Sequence, residues 1–103
     1  MKQFPALEQL LGAYLHEDWA DDYPDVWHAV TDFLDGEPEW APQVTSEIAQ
    51  LLAGYATEAA VEQTLLDLGM IYYPPGDGWD SYRGWLLAVA AHVEQNLHKS
   101  PAA

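Results

Sequence analysis

Gly69-Met70-Ile71-Tyr72-Tyr73-Pro74-Pro75-Gly76-Asp77-Gly78-Trp79-Asp80-Ser81-Tyr82-Arg83-Gly84-Trp85-Leu86 decides how this chain folds. The stretch holds two of the seven prolines, four of the seven glycines, five of the thirteen aromatics and the only arginine. Pro74-Pro75 fixes two backbone φ angles, and Gly76-Asp77-Gly78 permits a tight reversal where other residues would be strained. Residues 72–79 therefore read as a stiff, shaped loop between two helices. A loop that spends so many aromatics is there to pack or to bind.

Working outward, the apolar residues recur at helical spacing. Leu7, Leu10, Leu11, Tyr14 and Leu15 form one stripe, and Pro5 suits the first turn of a helix running to about Leu15. Val26, Val30, Phe33 and Leu34 form a second, which Pro24 opens and Gly36 ends. After the connector Glu37–Pro42, Val44, Ile48, Leu51, Leu52 and Tyr55 predict a third helix closed by Gly54. Thr57 is the expected N-cap of a fourth, with Glu58 against its positive end, Val61, Leu65 and Leu68 as its stripe and Gly69 as its terminus. Beyond the loop, Tyr82, Leu86, Val89, Val93 and Leu97 predict a fifth, capped by Asp80 or Ser81. Only Met70–Tyr73 resembles a strand, and it is too short to build a sheet. The expectation is an all-α bundle of about five helices, with the Pro/Gly/aromatic loop before the last, in one domain spanning 1–103 with a tail over about 97–103.

Charge is the loudest signal. Seventeen acids face three bases, a formal charge of −14, and no lysine or arginine occurs from Gln3 to Tyr82. Nine of those acids lie between Glu17 and Glu39, so they are clustered. A field of this sign repels nucleic acid and anionic membranes, and nothing here could neutralise phosphates. It attracts basic surfaces. The absence of cysteine excludes disulfides and thiol chemistry. The N-terminus lacks the basic start and apolar run of a signal peptide, and no apolar stretch could span a bilayer. The protein is therefore expected to stay in the cytoplasm where it is made.

Few residues suit catalysis. The serines lie in no nucleophile elbow, and Gly76-Asp77-Gly78 is too short for a phosphate loop. His28 and Asp32 stand one helical turn apart with Asp25 before them, a weak divalent pattern that reads better as a solvated polar face. Asp77 and Asp80 lack the remaining ligands of a calcium loop. No enzyme activity, metal or cofactor is expected. Arg83 reads as a structural guanidinium, tying carboxylates such as Asp18 or Asp77 together across the bundle end. Trp19 and Trp79, in acid-flanked segments read as non-helical, serve either as lids on the core or as binding anchors.

Two motifs carry a family resemblance: Leu11-Gly12-Ala13-Tyr14-Leu15-His16-Glu17-Asp18-Trp19, and Tyr72-Tyr73-Pro74-Pro75-Gly76-Asp77-Gly78 with Tyr82-Arg83-Gly84-Trp85-Leu86. Together they resemble the immunity proteins of bacterial contact-dependent growth inhibition systems, over roughly Phe4 to Leu97. Two positions depart from the family pattern: Glu17 where glutamine is common, and Gly84 where glutamate is common. The resemblance implies an α-helical protein that binds and neutralises the C-terminal toxin domain delivered by a neighbouring cell, commonly a nuclease acting on tRNA or DNA.

Composition and resemblance converge on one mechanism. A nuclease groove is basic, and carboxylates can stand in it where phosphates would. The expected partner surface is Glu17, Asp18, Trp19, Asp21, Asp22, Tyr23, Asp25, Asp32, Asp77 and Trp79. The family motifs hold Tyr14, Tyr73, Pro74, Gly76, Gly78, Tyr82, Arg83 and Trp85, read as fold-keeping residues. The rival is an acidic interaction module, a nucleic-acid mimic or anti-repressor, that binds a host DNA-binding protein.

Overall fold

The computed structural model describes residues 4–15, 19–70 and 72–98, with side chains as far as residue 96. The chain is all-α. α1 (Pro5–Gln9) runs directly into one π-helical turn (Leu10–Tyr14), followed by a short α2 (Trp19–Asp22) and then α3 (Val26–Gly36). A 3-10 turn at Pro38–Trp40 leads into α4 (Ala41–Gly54), then α5 (Glu58–Asp67). A second 3-10 turn, Pro74–Asp77, precedes α6 (Tyr82–His98).

α6 is the central post. It packs along α4 and also meets α3 and α5, while α1 lies across α4. Trp85, Leu86, Val89 and Val93 on α6 are fully buried in one core with Val30 and Phe33 of α3, Ile48 and Leu51 of α4, and the α1 leucines. Each expected stripe faces this core, with Tyr14, Leu52, Tyr55 and Leu68 at its border. Leu97, expected on the last stripe, lies outside the described side chains.

The structure departs from the sequence expectations at four points. The first helix does not continue uniformly to Leu15: Leu15 N–H donates to Leu10 C=O at 3.2 Å, a five-residue step that widens the last turn. The widened turn lies where Gly12 meets Gly69; a Cβ on Gly69 would sit 3.6 Å from Gly12 Cα. Trp19 starts a short helix rather than standing in irregular chain. The third predicted helix starts at Ala41, so Pro42 belongs to its first turn rather than to the connector.

Thr57 caps α5 as expected, accepting from Ala60 N–H at 3.1 Å. Glu58 stands in the first turn of α5, as expected. Its carboxylate also reaches across to α6, accepting from the N–H groups of Tyr82 and Arg83. Ser81 completes that cap by accepting from Gly84 N–H at 2.9 Å.

Glu47 does the same for α1 from the middle of α4. Only 3% exposed, its carboxylate accepts from Ala6 N–H at 3.1 Å and Leu7 N–H at 2.9 Å. Gln43 donates a third hydrogen bond to it at 2.7 Å. A carboxylate against two free N–H groups at a helix start is the favourable arrangement for the helix dipole. Arg83 mirrors it at a C-terminus, donating to the carbonyls of Tyr55 at 2.9 Å and Leu52 at 3.3 Å. It thus holds the end of α4, not a carboxylate such as Asp77, and this is the fourth departure. Asp18, its other expected partner, lies outside the described residues.

Candidate functional site

A cleft of about 620 Å³ opens along the outer face of α3 where the α2–α3 junction and α6 flank it. Trp27, Thr31 and Asp35 succeed one another at four-residue spacing on α3, beside His28 and Asp32, so five lining residues share one helix face. Asp22, Tyr23 and Pro24 close one side, and His92 of α6 the other. Among the described residues no lysine or arginine lines it.

Its polar groups are unevenly engaged. The Tyr23 hydroxyl donates to Asp32 Oδ2, and that bond, with partial burial, pushes the Tyr23 phenol up to about 12. Asp25 caps α3 by accepting from His28 N–H and lies 2.9 Å from His28 Nδ1. The bond to the His28 ring holds the Asp25 carboxyl below the usual carboxylate range. Asp22 and Asp35 have no hydrogen-bond partner among the described residues, and their carboxylates face solvent.

Trp27 joins this cleft to two others. It also lines a groove of about 480 Å³ with Asp25, Tyr72, Asp77 and Trp79, and one of about 310 Å³ with Ala88, Ala91 and His92. Its ring tilts over His92 at 5.2 Å and meets the edge of Trp79 at 6.2 Å. His92 Nε2 lies 3.0 Å from Thr31 Oγ1.

The aromatic loop is built from the inside out. Tyr72 and Pro74 are buried, and Tyr72 tilts against Trp85 at 5.3 Å. Trp19 meets the edge of Tyr72 at the same distance. The Tyr72 hydroxyl donates to Asp77, and burial, then that carboxylate, raises its phenol well above the usual tyrosine range. Gly78 ends the 3-10 turn at φ +92°, the left-handed region, whereas Gly76 does not adopt positive φ. Tyr73 turns outward and is 61% exposed.

A family model described as CdiI immunity protein matches residues 3–93. The chain belongs to the CdiI immunity protein family. Membership implies binding of a cognate toxin and its neutralisation. No curated protein and no solved structure matches the chain. No described helix is long and apolar enough to cross a membrane.

The expected partner residues of this immunity protein fall into distinct places. Asp22, Tyr23 and Asp32 come together in the main cleft, and Asp25, Asp77 and Trp79 in the groove beside it. Asp21 is exposed on α2. Trp19 packs half-buried on Tyr72, the position of a lid. Glu17 and Asp18 lie outside the described residues. The fold-keeping set is mostly internal: Tyr82, Trp85 and Pro74 are buried, and Tyr14 meets the edge of Phe33 at 5.3 Å. Tyr73 is its exposed exception.

Trp27, Asp35 and His92 are not selected by the sequence reading, though all line the cleft. Trp27 and Asp35 are legible in part, because they share a helical face with His28 and Asp32. His92 is not, since only the packing of α6 against α3 brings it there. Among the described residues no group of three or more metal-binding side chains is close enough to hold an ion.

Proposed function

We propose that the protein neutralises a basic toxin domain, a nuclease acting on tRNA or DNA, by docking this acidic, aromatic-lined face against it. The observation that carries the reading is a cleft lined by Asp22, Asp32 and Asp35 around Trp27, with no lysine or arginine among the described residues that line it. Asp21 and Asp25 extend its acidic border, and Trp79 continues the aromatic floor into the adjoining groove. The protein acts by binding in the cytoplasm and turns over no substrate. Carboxylates occupy positions that phosphates would take, and long-range attraction speeds capture. Docking needs neither cofactor nor nucleic acid.

The test is binding to the cognate toxin domain. Expected is a complex whose affinity falls steeply as salt rises, and falls further on charge reversal at Asp21, Asp22 and Asp25 together. Unchanged affinity in that triple variant would remove this surface from the interface. Tight binding with little salt dependence would move the contact to the exposed Tyr73 side of the aromatic loop.

A further inference from the structure

We infer that the main cleft is a subsite for one arginine side chain of the partner, with Trp27 as its floor and Asp32 and Asp35 as its carboxylate clamp. This deepens the docking reading above and rests on it for the partner's identity. Three observations point to a guanidinium rather than to an apolar group or an anion.

The first is composition of the walls. The cleft places an indole and a tyrosine beside three carboxylates, with no lysine or arginine among the described residues to neutralise them. An apolar occupant would strip water from Asp22 and Asp35 without offering a hydrogen bond, a cost that no compensating pair relieves. An anion meets three like charges.

The second is the state of the acids. Four carboxylates elsewhere are spent internally, Glu47 on the start of α1, Glu58 on α6, Asp77 on Tyr72, and Asp25 on its own helix and His28, while others such as Glu62 and Asp80 are exposed outside the three clefts described above. In the cleft, Asp22 and Asp35 carry no such bond among the described residues, and Tyr23 engages one oxygen of Asp32. Asp32 and Asp35 are three residues apart on α3, on one face. A planar fork with five donors can bridge such a pair, whereas an ammonium meets it as a single point.

The third is Trp27 itself. It lines the three grooves described above, so a chain that follows any of these three passes this indole. Indole is the best aromatic surface for a cation, and guanidinium stacks on it as well as attracting it. His92 and Trp79 against Trp27 hold the ring in place before any partner arrives. Preorganisation of this kind reduces the ordering cost of binding.

The experiment titrates the full chain with acetyl-arginine-amide, acetyl-lysine-amide and acetyl-citrulline-amide at pH 8 and low salt. The readout is the indole N–H resonances in proton–nitrogen NMR spectra, with Trp27 assigned from Trp27→Phe. Expected is a saturable shift of the Trp27 resonance with arginine, weaker by about threefold or more with lysine and absent with citrulline. Asp32→Asn/Asp35→Asn, which keeps the acceptor for Tyr23, should weaken the arginine response about tenfold with unchanged helical circular dichroism. Equal shifts from arginine and citrulline, a Trp27 resonance that does not move, or an unaffected double variant would each overturn the subsite.

Protection of cells from the toxin separates the two readings. Wild-type protection with no arginine response at Trp27 would leave toxin docking standing and remove the subsite. An arginine response at Trp27 without toxin binding would keep the subsite and remove the docking reading.

Discussion

Glu47 and Asp35 are both acids on helices of this bundle, yet one is buried behind three hydrogen bonds and the other faces water with none among the described residues. The same contrast divides the molecule. Around α1, α4 and the start of α6, charged side chains are consumed by helix ends: Glu47 and Glu58 at N-termini, Arg83 at a C-terminus. Along the outer face of α3, Asp35 and the neighbouring Asp22 are displayed, and Asp32 is held at one oxygen only. An acid held by backbone N–H groups stabilises the fold and is lost to any partner. A displayed one adds repulsion at home and attraction abroad.

The contrast can be broken most severely at Glu47. Glu47→Ala leaves two N–H groups buried without acceptors, and should cost about 2–4 kcal/mol in urea denaturation. Toxin affinity measured below the unfolding transition should stay unchanged. Glu47→Gln should recover part of the loss, because the amide retains one acceptor oxygen.

Arg83→Ala should cost about 1–2 kcal/mol, and Arg83→Lys should recover little of it, since one ammonium does not reproduce the fork that spans two carbonyls. A loss no larger than that of an exposed lysine would sink the claim that Arg83 belongs to the consumed set. Gly78→Ala tests the loop between the two regions. Its Cβ would meet nothing within 4 Å, so the cost is that of a left-handed backbone alone, about 1 kcal/mol.

Smaller effects sharpen the displayed side. Tyr23 keeps its proton longer folded than unfolded, because its phenol is pushed up to about 12 from 10. The folded state then binds more protons than the unfolded one in that window. This contribution is complete below pH 10 and disappears as pH rises from 10 to 12. Tyr23→Phe should show a smaller loss of urea midpoint across that window than the wild type. Last, Asp32→Asn/Asp35→Asn should move stability by no more than about 0.5 kcal/mol, towards greater stability at low salt. A destabilisation beyond about 1 kcal/mol would place these acids with Glu47 instead.

Much of this fold is legible in the sequence because apolar spacing reports directly on which side of a helix meets a core. Val26, Val30, Phe33 and Leu34 read as one stripe and pack as one. Thr57 and Gly69 are legible too, since capping is a local event, and the immunity-family motifs lie in uninterrupted stretches. Features that depend on distant partners stay hidden. Nothing near Glu47 in the chain distinguishes it from Glu62; its role exists only once α1 lies across α4. Glu58 sits where a local dipole argument claims it, and a helix more than twenty residues away claims it more strongly. Trp27 stands in a legible helix, but its place at the junction of three grooves is set by Trp79 and His92, which arrive from elsewhere.

The Glu47 lock also sets an order of events in time. A chain synthesised from its N-terminus presents α1 long before residue 47 exists, and a five-residue helix with free N–H groups has no means of persisting alone. Its first turn is completed only when α4 supplies the carboxylate. Arg83 likewise reaches the end of α4 only after α6 has begun to form. Each early segment is completed by a later one, so the opening residues of this chain are secured by residues made after them.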